Sequence, residues 1–132
     1  MRIEVFSLDG MNRELKNIKR LMELAKSTGG KAPDLSVKEI SRACVTIVRV
    51  GTSSPQGGDW GHGGRTILEL ENVAAMDWDV YITDSLGREY VFDRPSRLTL
   101  ILGGDHEACN LKEALEFAVE ELAAKLGEDG CE

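Results

Sequence analysis

Thr66-Ile-Leu-Glu-Leu70, Asp77-Trp-Asp-Val-Tyr-Ile82, Glu89-Tyr-Val-Phe92 and Arg97-Leu-Thr-Leu-Ile-Leu102 read as four successive strands, and the short links between them decide the fold. Parallel neighbours need a crossover of about a dozen residues or more, so links this short predict an antiparallel meander. Asp84-Ser-Leu-Gly87 is a tight turn between the second and third strands. Upstream, Arg42 to Val50 holds Cys44, Val45, Ile47, Val48 and Val50, a β-branched run that adds another strand.

Outward from the strands the period changes to that of helices. Leu111, Leu115, Ala118, Val119, Leu122 and Leu126 line one face of a helix ending at Gly127. Its start has two readings: Asn110 with Glu113 as a capping box, or Asp105 capping a longer helix. Residues 127–132 read as a frayed acidic tail. At the other end residues 2–8 form a short strand, Asp9-Gly10 turns, and a helix runs from Met11 to about Lys26. Leu15, Ile18, Met22 and Ala25 make its stripe, with Leu21 beside them and Arg13, Lys16, Asn17 and Arg20 toward water. Gly29-Gly30 and Pro33 end it. The expectation is one α+β domain over residues 1–132, a two-layer sandwich. Its mostly antiparallel sheet has about five strands, with two amphipathic helices on one face. A doubly wound fold fails, because no helices separate the middle strands. Leu115 and Leu122 are expected to pack on the sheet. Val80, Ile82, Val91, Leu98 and Leu100 are too many apolar strand residues for one solvated face, which predicts a homodimer.

Composition narrows the class. The 132 residues carry 16 Lys plus Arg against 23 Asp plus Glu, a net charge of -7, with 42% apolar content. That is enough for one core and too apolar for a disordered tail. Acidity argues against nucleic acid and against anionic membrane as partners, since both need clustered positive charge. No apolar run reaches bilayer length, and the N-terminal residues lack the apolar stretch of a secretory signal. Cys44, Cys109 and Cys131 are odd in number with no C-x-x-C spacing, which disfavours a disulfide framework or structural zinc. A cytoplasmic protein with reduced thiols is the expectation.

The informative loop is Gly51 to Gly64, 14 residues with six glycines, closing on Gly57-Gly58-Asp59-Trp60-Gly61-His62-Gly63-Gly64-Arg65. So many glycines imply special dihedrals or close backbone approach. One reading is a nest of backbone N–H groups that receives an anion or a substrate carbonyl, with Asp59, His62 and Arg65 supplying chemistry. The other is a surface loop ordered only by a partner. The glycines precede a strand and no Lys-Ser/Thr follows them, which excludes a Walker loop and a dinucleotide fingerprint. His106-Glu107-Ala108-Cys109-Asn110 starts like a metalloprotease signature but has Asn110 where the second histidine must stand. His62 and His106, each just after a Gly-Gly-Asp triplet, are the available acid–base groups near neutral pH. Mixed ligation of a metal by them with Asp59, Asp105 and Glu107 is weighed against two solvated histidines, and no metal is assigned. For Asp105, helix capping is the structural alternative. Trp60 reads as a stacking or interface residue, and Trp78 as a sheet-face residue. The meander brings the two glycine-rich loops to one end of the sheet, so Asp59, His62, Arg65, Asp105, His106 and Glu107 form the candidate ligand-binding set.

The run Gly57-Gly58-Asp59-x-Gly61-His62-Gly63-Gly64-Arg65-Thr66, followed by Gly103-Gly104-Asp105-x-Glu107 before a final helix, resembles small bacterial proteins carried on mobile gene cassettes such as those of integrons. The resemblance covers about residues 45–126 and implies no activity; the first 40 residues carry no motif. Three functions stay open. One is a small homodimeric binding protein taking a small molecule or partner on its glycine loop. The second is a small hydrolase or isomerase using His62 or His106 with Asp59 or Asp105, its cofactor unspecified. The third is an acidic inhibitor or immunity-type protein that neutralises a basic partner.

Overall fold

The computed structural model describes residues 1–4, 8–27, 29–58 and 62–127, and of residues 8 and 9 the backbone only. Its elements in chain order are β1 (Arg2–Glu4), α1 (Leu8–Leu24), β2 (Asp34–Ser41), β3 (Val45–Thr52), β4 (Arg65–Ala74), β5 (Asp79–Thr83), β6 (Glu89–Asp93), β7 (Arg97–Gly103) and α2 (Asp105–Leu126). The fold is α+β: a mostly antiparallel five-strand sheet with two helices against it. No described helix is long and apolar enough to cross a membrane.

The strands of that sheet run β1-β2-β3-β4-β7. β1 and β2 are parallel, with Ile3 beside Val37, and α1 is the crossover that this pairing needs. The other three pairings are antiparallel. β2 lies in the stretch expected to be a linker. Its alternation is brief, Leu35 and Val37 inward, before Lys38 and Glu39 break the apolar pattern.

The middle of the expected meander is displaced. β4 pairs directly with β7, from Arg65 opposite Gly103 to Glu71 opposite Arg97. β5 and β6 form a separate hairpin, with Val80 opposite Phe92 and Ile82 opposite Tyr90. Short links require antiparallel neighbours but do not say which strands pair, and a hairpin that pairs with itself satisfies them equally well. Its base is pinned by hydrogen bonds. The Asn72 side chain brackets Met76 through two 3.1 Å bonds, Asn72 N–H donates to the Ser96 carbonyl at 2.8 Å, and Trp78 Nε1 donates to the Pro95 carbonyl at 2.8 Å. Trp78 therefore stitches the two ends of the excursion together. The Asp84–Gly87 turn forms as expected, with Gly87 at φ 82°.

The helices divide between the two faces of the sheet. Leu35, Val37, Arg49, Ile67 and Glu69 share one face by strand parity and register. α1 covers it, and Ile18, Leu21 and Ala25 close the core over Leu35, Val37 and Ile67, with Ile3, Met22 and Ile47 packed around them. The buried stripe of α1 includes Glu14, while Leu15 is 50% exposed. It is thus rotated from the expected stripe, because the sheet beneath carries a charge at Arg49 that must be met.

α2 lies beside the opposite face, where Val50, Thr52 and Thr66 point, which corrects the expectation of one helical layer. β7 ends at the glycine-rich end of the sheet, and the chain turns there onto that other face. No described residue of α2 is buried. Leu115 and Leu122, expected on the sheet, are 38% and 57% exposed.

Candidate functional site

The site is the end of the sheet where β4 begins and β7 stops. Arg65 pairs with Gly103 there, so the loop leading into β4 and the Gly103-Gly104-Asp105 corner necessarily meet. The expectation that both glycine-rich segments share one end holds, with a shorter reach than a meander gives. Backbone bonds join them: Gly104 N–H donates to the Gly64 carbonyl at 2.9 Å, and Asp105 N–H to the Gly58 carbonyl at 2.8 Å.

The loop is a nest of amides, and the anion in it is the chain's own. The Asp105 carboxylate accepts N–H bonds from Gln56 at 3.0 Å to both oxygens, Gly57 at 2.6 Å, Gly58 at 3.3 Å and Gly64 at 3.4 Å. Those bonds stabilise the ionised form. The Gln56 N–H leads, burial opposes, and Gly57, the Ser54 hydroxyl and Gly64 add to it, so the Asp105 carboxyl is pulled down to about 2. Asp105 does not cap its helix. Gly104 stands at the N-cap with no side-chain bond, and Asp105 reaches outward from the first turn.

Two glycines show why the loop has its composition. Gly63 sits at φ 79°, the left-handed region that costs an L side chain, with Gly58 packed against it. A Cβ on Gly64 would lie 2.6 Å from the backbone N and Cα of Ser54. Further bonds lock the strand ends below: Arg65 N–H to Ser53 Oγ at 2.9 Å, Ser53 N–H to the Arg65 carbonyl at 2.9 Å, and Thr52 to Thr66 through their hydroxyls at 2.8 Å.

The other candidate residues take varied places. Asp59 and Trp60 lie outside the described residues. His62 is exposed on the loop and His106 exposed on the first turn of α2, while Arg65 and Glu107 are half-buried. Arg65 Nη1 donates to the Gly64 carbonyl at 3.4 Å. Of the candidate set, the described members His62, Arg65, Asp105, His106 and Glu107 lie at one end of the sheet. No group of three or more His, Cys, Asp or Glu among the described residues is arranged to hold a metal.

Two features escape the sequence reading. A groove of about 940 Å³ opens between α2 and the outer sheet face, lined by Val50, Pro55, Leu111, Leu115 and Val119 among others. Beneath α1 lies a buried charge cluster. Arg49 meets Glu14, Glu69 and Glu71, and Glu69 also receives Arg20 at 2.8 Å and the Thr99 hydroxyl at 2.5 Å. Its signal in the sequence is Arg49 alone in the apolar run of β3, and Glu69 and Glu71 alternating with Leu68 and Leu70 in β4. Searches against protein-family models, curated proteins and solved structures find no match to this chain.

Proposed function

We propose that this chain is a small homodimeric interaction protein that works through α2 and the sheet face beside it, with the glycine loop as the latch that sets α2 in place. One observation carries the reading: a 22-residue amphipathic helix with no described residue buried. Helices draw most of their stability from burying an apolar flank, and this one has Leu115, Val119, Leu122 and Leu126 exposed. The latch supports the same view. Asp105 spends its carboxylate on four loop amides, and an acid pulled down to about 2 is a poor proton donor or acceptor near neutral pH. That weighs against the acid–base enzyme.

The test is the mass in solution. Light scattering should give two copies of the 14.5 kDa chain at micromolar concentration. A single-chain mass at every concentration up to millimolar would end the proposal.

A further inference from the structure

Resting on the homodimer reading, we infer that α2 of each copy lies across the outer sheet face of the other, so that the two helices are exchanged about a two-fold axis. The occupant of the groove is a second copy of this chain.

Surface area is the first argument. The chain exposes 9026 Å². A compact monomer of 14.5 kDa exposes about 6,900 Å². The excess of roughly 2,100 Å² per copy exceeds the ~800 Å² per partner of a standard interface and matches obligate dimers. Exposed apolar side chains on α2 and on the β5–β6 hairpin, Val119, Leu122, Tyr81, Val91 and Phe92 among them, contribute to it.

Self-complementarity is the second. Within one chain α2 stands off the outer face across the groove, so the helix flank and the sheet face both stay open to a second copy. Val48, Leu70 and Leu98 are only half-buried, and Val50 and Leu100 are exposed. All five share the outer face by register. In a two-fold pair each contact is made twice, so one docking answers both deficits in both copies.

The test begins in a chain freed of its cysteines (Cys44→Ala, Cys109→Ser, Cys131→Ser). Val119→Cys is added to an isotope-labelled copy and coupled to a benzophenone maleimide. That copy is refolded with an unlabelled one, irradiated and digested for mass spectrometry. Cross-links from the labelled helix to residues 34–52, 65–74 or 97–103 of the unlabelled chain are expected. Links confined to the labelled chain, or made to hairpin residues 79–93 of the other copy, with the two-copy mass retained, would overturn the exchange and leave the dimer standing. A single-chain mass would bring down both. As a second arm, Leu122→Glu should weaken association by at least ~30-fold. Phe117→Ser, on the far side of the helix, should leave it unchanged. Equal effects of the two would also overturn the exchange, and circular dichroism confirms that both variants fold.

Discussion

Arg49 and Glu14, 35 positions apart, face each other through two parallel hydrogen bonds of 2.5 and 2.7 Å with both side chains buried. This fork joins α1 to the sheet where an apolar core would ordinarily continue. Arg49 also donates to Glu69 at 2.8 Å and stands 2.7 Å from Glu71. Burial alone would lower the guanidinium pKa, but the Glu14 and Glu71 carboxylates outweigh it and raise it further.

Arg49→Met should therefore be among the most damaging substitutions. It leaves Glu14 buried without its cation and Glu69 with Arg20 alone, which costs about 3–5 kcal/mol. Arg49→Lys should fall between, because an ammonium cannot form the fork. Adding Glu14→Leu and Glu69→Met to Arg49→Met should recover most of the loss, since apolar replacement of a whole buried cluster is often neutral. Urea midpoints decide it, and an unchanged midpoint for Arg49→Met would mean that the cluster holds nothing together.

The latch gives a pH dependence of definite sign. Asp105 titrates near 3.8 when unfolded and about 2 when folded, so the unfolded chain binds the proton more tightly. Its stabilisation is complete above the unfolded value and fades as pH falls through the folded one. Melting temperatures of wild type and Asp105→Asn should thus differ most above about pH 5 and converge toward pH 2. A difference that persists undiminished at pH 2 would exclude the carboxylate as its source.

Glu69 acts in the same sense. Burial pushes it up, but the Thr99 hydroxyl, Arg20 and Arg49 hold it below the usual carboxylate range. Acid should loosen α1 from the sheet as Glu69 protonates. Thr99→Val should move that acid transition to higher pH, because the loss of the hydroxyl bond lets the carboxyl pKa rise. A transition unmoved by Thr99→Val would argue against this bond.

Glycines in two loops should respond differently to alanine. Gly87→Ala meets open space and pays only for its positive φ, about 1 kcal/mol. Gly64→Ala drives a methyl into the Ser54 backbone and should unseat the loop, costing more than Gly87→Ala does. Hydrogen exchange at the Gly57 and Gly58 amides would report the loss of the latch, and equal melting temperatures for the two variants would contradict it.

Leu115→Ala separates the single chain from the dimer. In one chain the side chain is 38% exposed, short of the burial that makes a Leu→Ala change cost about 2–5 kcal/mol. If α2 is covered by a second copy, the loss should appear as a melting temperature more dependent on protein concentration than that of wild type. Equal dependence in wild type and variant would leave Leu115 outside the interface.

Much of the fold was legible where local pattern is enough. Strands β4 and β7, the Asp84–Gly87 turn and the final helix follow from alternation, turn chemistry and period. β2 escaped because only Leu35 and Val37 show its inward face before charges take over. The meander failed at β5 and β6 because partner choice is a long-range matter: Leu68 opposite Leu100 is worth more than proximity in sequence. At the site, the meeting of two glycine-rich segments was readable, and so was a nest of amides. That its anion would be Asp105, more than 40 positions away, was not, since a carboxylate before a helix looks the same whether it caps its own turn or reaches out of it. The Arg49 cluster had a sequence signal in Arg49, the one charge of its strand, and in Glu69 set between Leu68 and Leu70, and the register that sets them side by side supplies the explanation.

The β5–β6 excursion bears on how such a chain can change length. It leaves the sheet after β4 and returns at β7, two strands already side by side, so its ends are fixed about one strand spacing, ~4.8 Å, apart. Whatever joins them need only turn around. A two-residue turn would serve, as would a segment far longer than this hairpin, since closure entropy grows only slowly with length. The sheet thus tolerates addition and removal at this junction without a change of register. It is a natural port for inserted sequence, where a new surface can be added while the framework beneath stays as it was.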